Sequence, residues 1–323
     1  MKKFLTAILS AALSLCLLTG CSSASKSTET IRIGSLNGPT SIGLLKLMDK
    51  SAKGETKDSY SFTIATTADE LLPKMISGEL DIALVPANVS SVLYNKTEGN
   101  IKVLDINTLG VLYGVSGDNS ISHISDLKGK TVFITNRGTT PDYVFQYLCS
   151  EAGLAEGDIN IEYKSEAAEV AALLAENPDA VGILPQPFVT ACCISNDSLS
   201  PVLDLTAEWN NIASEESSKL LTGVTVVRKD FLESNPEAVE RFLEEHKESA
   251  DFAVSNVEET AALVVSAGII EKEPMAQKAI PGCNITYIDG EEMKKALSGY
   301  LEVLYNLDPS SVGGALPDEE FYY

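Results

Sequence analysis

The sequence is poor in the residues that most often carry chemistry. It holds two histidines, one tryptophan and six cysteines in 323 residues, and its 24 basic residues face 46 acidic ones. So little positive charge excludes nucleic acid as a partner, because nothing is basic enough to release counterions from a phosphate backbone. It also disfavours broad adsorption to an anionic membrane surface. His123 lies in a polar loop and His246 in a charged helical stretch. Both read as solvated, and a triad or metal site would need several further groups converging on either. No G-x-S-x-G elbow, P-loop or dinucleotide glycine fingerprint occurs. The spacing of Cys149, Cys192, Cys193 and Cys283 fits no zinc motif. Those four cysteines allow three pairings, and buried free thiols are the expectation. No metal, no cofactor and no catalytic residue is expected.

Long hydrophobic runs are also scarce. Residues 261–270 form an apolar stretch too short to span a bilayer. The exception is residues 4–18, which follow Lys2 and Lys3 and read as the apolar part of a secretory signal. That run ends in Leu18-Thr19-Gly20-Cys21, which resembles the bacterial lipobox. The resemblance implies a signal peptide over residues 1–20, fatty acylation (palmitate) of Cys21 as the new N-terminus, and a polar tether over residues 21–30. Loss of Lys2 and Lys3 with the signal takes the formal charge from −22 to −24. A body of this size, anchored through Cys21 on the extracytoplasmic side of the cell membrane, has length enough for two lobes.

Strand and helix signals alternate through that body. Residues 31–34 form a short strand, and Ile42, Leu45 and Met48 mark the inner face of a helix that Gly54 ends. Tyr60, Phe62 and Ile64 alternate as a strand, and Thr67 with Glu70 has capping-box spacing. Pro73 fits only if it lies in the first turns of the helix that follows. Gly78 closes that helix before a buried strand, residues 82–85. This order implies a mostly parallel sheet covered by helices.

The order then repeats. IGSLNGPTSIGLL (33–45) parallels ITNRGTTPDYVFQ (134–146) as strand, polar loop, glycine and helix. ELLPKMISGELDIALVPAN (70–88) parallels EVAALLAENPDAVGILPQP (169–187) as helix, aspartate, buried strand and proline. Two parallels in the same order imply two lobes of one kind, with a ligand held in the cleft beyond the carboxyl ends of their strands.

Five segments extend the picture over nearly the whole chain: SGELDIALVPANV (77–89), ISHISDLKGKTVFITNRGTT (121–140), VGILPQPFV (181–189), VLDLTAEW (202–209) and LLTGVTVVRKDFLESNPEAVERFL (220–243). They resemble successive segments of extracytoplasmic solute-binding proteins of ABC importers, of the nitrate, sulfonate, taurine and thiamine-precursor type. The resemblance implies an α/β, two-lobed periplasmic-binding-protein-like (type II) fold with two hinge crossings, near Thr108 to Tyr113 and near Leu221 to Val226. Residues 31–108 with 225–323 would form lobe one, and 109–224 lobe two. The implied protein is a monomer that is not an enzyme. It captures a small polar, conceivably anionic, organic solute and delivers it to a permease with its ATPase subunit. The alternatives are an enzyme on the same fold, of the menaquinone- or pyrimidine-synthesis kind, or a ligand sensor without a transport role. Where relatives often carry glutamate this sequence has Gln186, which disfavours a ligand amine.

The cleft candidates come from matching loops. Lobe two offers Arg137, whose planar guanidinium can grip an oxoanion with two parallel hydrogen bonds, beside Gly138, Thr139 and Thr140 as donors at a helix start. Lobe one offers Asn37, Gly38, Thr40, Thr66, Thr67 and Asn88. Asn37 and Thr67 serve equally well as helix caps, and Arg137 as one half of a surface ion pair. Trp209 follows a strand-like segment that lies near the cleft in the family, although a lone tryptophan is more often core. Tyr143 and Phe145 are spaced so that both cannot face the cleft, and one at least must pack.

Overall fold

The computed structural model describes residues 30–135, 137–212 and 218–323. The expected signal peptide, the acylated Cys21 and all but the last residue of the tether lie outside the described residues. Among the described residues no helix is long and apolar enough to cross a membrane, and no three His, Cys, Asp or Glu side chains are grouped to hold a metal.

The chain enters through β1 (Ile31–Leu36), α1 (Pro39–Ile42), α2 (Leu45–Ala52) and β2 (Tyr60–Ala65), then α3 (Ala68–Ser77), β3 (Ile82–Pro86), α4 (Ala87–Lys96) and β4 (Ile101–Leu109). It crosses at Gly110 and Val111 into β5 (Leu112–Ser116), β6 (Thr131–Thr135), α5 (Thr140–Glu151), β7 (Asn160–Lys164), α6 (Ala167–Glu176), β8 (Val181–Pro185), α7 (Phe188–Ser195), β9 (Ser200–Asp204) and α8 (Leu205–Ile212). It returns through β10 (Leu221–Arg228), α9 (Lys229–Ser234), α10 (Pro236–Ser255), α11 (Val257–Ser266), α12 (Glu273–Ala279), β11 (Ile285–Ile288) and α13 (Gly290–Leu307).

The strands form two sheets, ordered β2-β1-β3-β10-β4-β11 and β7-β6-β8-β5-β9. Position for position the first five strands of each sheet correspond, so the repeat in the sequence is a repeat of topology. Both sheets are mixed, which corrects the mostly parallel arrangement expected from the β-α-β order. β1 runs parallel to β2 and β3, and β6 parallel to β7 and β8. The strands that receive the chain from the other lobe, β5 and β10, run antiparallel to their neighbours. A strand arriving from the other lobe enters its sheet from the opposite end, and therefore points the opposite way. β10 pairs with β4 from Leu221 onward, so the chain is already within the six-stranded sheet at that residue.

Local chemistry accounts for the element ends. Thr67 and Glu70 form the capping box of α3, and Gly78 ends it in the left-handed conformation at φ 76°. Pro73 lies in the middle of α3, past its first turn. Its ring removes one helical hydrogen bond, while Leu71, Leu72 and Met75 on the same helix are buried.

His246 departs from the solvated reading. It is fully buried, stacked on Phe242 with ring centroids 5.3 Å apart, and its Nδ1 lies 3.4 Å from Asp105 Oδ2. The many charged residues of α10 leave one inward face, on which Val239, Phe242, His246, Ala250 and Ala253 pack. His123 is exposed, with Nδ1 3.1 Å from Glu208. Cys149, Cys192 and Cys283 are buried free thiols and Cys193 is half-buried. Burial pushes the Cys149 and Cys283 thiols up to about 12.

One hydrophobic cluster runs through both lobes. Trp209 of α8 lies between Tyr147 of α5, at 4.7 Å between ring centroids, and Tyr300 of α13, at 5.8 Å. The C-terminal helix therefore bridges the lobes. The Tyr143 hydroxyl donates to Asp308 at 2.7 Å, just beyond the end of that helix.

Candidate functional site

A cavity of about 340 Å³ opens where the carboxyl ends of strands from the two sheets face each other. Lobe one lines it with Leu36, Asn37, Gly38, Thr40, Thr66 and Asn88, and α13 adds Tyr300. Lobe two lines it with Leu112, Thr140, Pro141, Val144 and Pro185. Gly110 and Val111 on one crossing, with Leu220, Leu221 and Thr222 at the end of the other, complete the wall.

The local sequence places these groups. β1 ends at Leu36, and Gly38 followed by Pro39 turns the chain into α1, with Pro39 at the first helical position, where its missing N–H costs nothing. The Thr40 and Ser41 hydroxyls fold back on the Leu36 carbonyl, at 3.5 and 2.5 Å, and hold the loop against the strand end. Asn88, in the first turn of α4, donates to the Ser311 carbonyl at 3.0 Å, so the C-terminal segment steadies it. Across the cleft, Thr140 and Pro141 open α5 and Val144 follows one turn on.

Six of the residues singled out from the sequence meet at this cavity: Asn37, Gly38, Thr40, Thr66, Asn88 and Thr140. The other six stand elsewhere. Thr67 is engaged in the capping box of α3. Gly138 is exposed and its N–H donates to Asp142 Oδ2 at 2.8 Å. Thr139 is the cap residue of α5. Gln186 is buried, its Oε1 accepting from the Thr190 hydroxyl at 2.8 Å, and it packs against Gly282, where an added Cβ would come within 2.8 Å of Nε2. Trp209 is fully buried, one layer behind the cavity against Tyr300. Arg137 is exposed, with its guanidinium carbon 5.5 Å from the centroid of the Tyr163 ring. It lines a separate surface depression with Gln146, Ser150 and Tyr163.

Asp142 explains the turn away of Arg137's loop. It is buried, and its two carboxyl oxygens accept from the Gly138 N–H at 2.8 Å and from the Tyr163 hydroxyl at 2.9 Å. Asp142 thus ties the residue before the cap of α5 back onto its first turn. Tyr143 packs toward Asp308 and Phe145 is fully buried, so neither lines the cavity.

Tyr300 was not legible in the sequence. It stands on the apolar face of α13 with Met293, Ala296, Leu297, Leu301 and Leu304, where a tyrosine cannot be told from core. Burial alone raises the pKa of its phenol, with no hydrogen bond or charge contributing.

This geometry can enclose a small molecule between two walls and hydrogen-bond it through neutral amides and hydroxyls. Known proteins share the architecture. An ABC transporter protein from Parabacteroides distasonis has a TM-score of 0.75 at 24% identity, over 91% of this chain and 98% of that one. The periplasmic aliphatic sulphonate binding protein of Escherichia coli has a TM-score of 0.72 at 16% identity, over 92% of each chain. At these identities the likeness establishes the two-lobed periplasmic-binding-protein-like fold. A protein of Brucella abortus (strain 2308), provisionally named a binding protein, is 23% identical over 219 residues, 68% of this chain and 64% of its own length. The match therefore spans a little less than two thirds of that relative. The sequence profile of the family described as menaquinone biosynthesis matches residues 39–306. Running from the start of α1 almost to the end of α13, that match means that the chain belongs to the menaquinone biosynthesis family.

Proposed function

We propose that this protein is the solute-capturing component of an ABC importer. It would be held by lipid on Cys21 at the outer face of the cell membrane and deliver its solute, as a monomer, to a permease and its ATPase subunit. The observation that carries the reading is the interlobe cavity, lined from both sheets at their strand ends. The lipobox-like Leu18-Thr19-Gly20-Cys21 supports anchoring, and the binding proteins that share the fold support capture for import. One lobe is built on the six-stranded sheet, from residue 31 through β4 and again from β10 onward, and the other on the five-stranded sheet between them. The reading assigns no catalysis: the solute is bound and released unchanged.

The family's description favours a second reading, an enzyme acting on a small molecule in the same cavity. One experiment separates the two. Protein incubated with an extract of its host's culture medium is desalted and denatured, and the released solute is identified by mass spectrometry. Capture predicts one solute per chain, recovered unchanged; conversion of that solute by purified protein would replace capture with catalysis. Cys21→Ala should abolish labelling by palmitate, and persistent labelling would remove the anchor.

A further inference from the structure

We infer that the cavity takes an uncharged, largely apolar organic solute, with a hydrogen-bond acceptor met by the Tyr300 hydroxyl, and rejects oxoanions. The inference rests on the reading of this cavity as a solute site and names the class of solute.

Four observations carry it. First, every described residue that lines the cavity is neutral. Arg137, the cation best shaped for an oxoanion, faces a different depression.

Second, two of the protein's own carboxyl groups already take backbone N–H groups in the segments that lead into α3 and α5. Glu70 Oε1 accepts from the Thr66 and Thr67 N–H groups, each at 3.0 Å, at the start of α3. Asp142 accepts from Gly138 at the start of α5. A bound anion would find acidic side chains at two helix starts that elsewhere attract negative charge. The formal charge of −22 adds a repulsive background.

Third, the wall from lobe two is apolar. Leu112, Pro141, Val144 and Pro185 offer no donor to a charge, and Leu36, Leu220 and Leu221 continue that surface on the other side. Moving an unpaired charge against such a surface is far more costly than moving a neutral group that keeps its hydrogen bonds.

Fourth, Tyr300 is 1% exposed and lines the cavity, yet burial is the only influence on its phenol. Among the described residues none accepts a hydrogen bond from that hydroxyl, which leaves it open to a ligand acceptor in the cavity. Asn37, on the opposite lobe-one loop, has both a donor and an acceptor to complete the recognition.

The position of Trp209 provides the readout. Its ring packs on Tyr300, so a ligand against Tyr300 alters the environment of the chain's single tryptophan. The experiment uses the purified full-length protein and two matched pairs, nicotinamide with nicotinate and benzamide with benzoate, alongside nitrate and ethanesulfonate. Binding is followed by Trp209 fluorescence and by calorimetry. The neutral member of each pair should bind at least roughly tenfold more tightly than its anion, and the two small anions should not bind. Tyr300→Phe should weaken binding of the neutral compounds by roughly three- to tenfold while the melting temperature holds, because the lost hydroxyl has no partner in the protein. An anion that binds as tightly as its neutral partner overturns the inference and leaves solute capture standing. Absence of binding by all the compounds overturns the inference too, while capture of a solute from medium extract still decides the broader reading. Unchanged affinity in Tyr300→Phe removes Tyr300 from the site.

Discussion

The loop after β1 brings Asn37, Gly38 and Thr40 to the cavity, whereas past β6 the described residues leave Arg137 and Gly138 on the surface and bring the first turn of α5. The two lobes share a strand order and differ in the chemistry that they present. Lobe one gives amides and hydroxyls, with Tyr300 reaching in from α13; lobe two gives Leu112, Pro141, Val144 and Pro185, with Thr140 as its one polar side chain among the described residues. The difference originates in a single carboxyl group. Asp142 draws the lobe-two loop onto α5 and Tyr163, whereas the β1 loop is held by hydroxyls, Ser41 turning back to the Ser35 hydroxyl at 2.6 Å and to the Leu36 carbonyl. A repeated fold therefore sets where loops lie, and individual caps set which groups those loops show.

The strongest test of this contrast acts on the junction. Trp209→Ala removes the side chain that packs between α5 and α13, and should destabilise the protein by about 3–5 kcal/mol in denaturant unfolding. A loss below about 1 kcal/mol would mean that the lobes do not depend on this packing. Asp142→Ala should cost about 1–2 kcal/mol, since a buried cap and the partner of Tyr163 are lost together. The same variant frees the Gly138 N–H, and any gain in nitrate binding there would mark the cap as what excludes anions.

Affinity should divide between the lobes. For the solute recovered from medium, Asn37→Ala is expected to weaken binding roughly tenfold and Thr140→Val about twofold. The reverse order, measured by calorimetry, would place the recognising groups in lobe two.

A smaller effect is expected with pH. The hydroxyls of Tyr143 and Ser310 hold the Asp308 carboxyl below its ordinary range, Tyr143 being the larger cause. A lowered folded-state pKa stabilises above the unfolded value of about 3.9 and is lost as pH falls through the lower folded value. The stability gap between wild type and Tyr143→Phe should therefore be full at neutral pH and close below about pH 4. A gap that widens on acidification would contradict the role of this contact between α5 and the end of α13.

Arg137→Ala should do least. Exposed and outside the cavity, it should change stability by no more than about 0.5 kcal/mol and affinity hardly at all. A large loss of affinity would return Arg137 to the site and an anion to the ligand.

How far the site could be read ahead of the structure depended on distance along the chain. Asn37, Gly38, Thr40, Thr66, Asn88 and Thr140 follow strands, so the rule that ligands gather at the carboxyl ends of strands points to the same end of the sheets as the cavity that they line. Arg137 obeyed the same rule and was misplaced, because one turn of α5 decides the direction of its side chain. Tyr300 lies over 150 residues downstream of Thr140 yet lines the same cavity.

Hydrophobic period, caps and the repeated order of elements are local, and they settle which segments become strands and helices and that the two halves are alike. Thr67 with Glu70 caps α3 and Gly78 ends it as their spacing requires, since both devices act within a few residues. Contacts between distant segments settle the rest. β5 and β10 run antiparallel to their neighbours because each enters its sheet from the other lobe. His246 is buried because α10 turns that face onto Asp105 and Tyr287. Trp209 became core once α13 packed over it, and Tyr300 came to the cavity with the same helix. Such outcomes depend on which surfaces exclude water together, and a linear pattern carries that information only after the chain has folded.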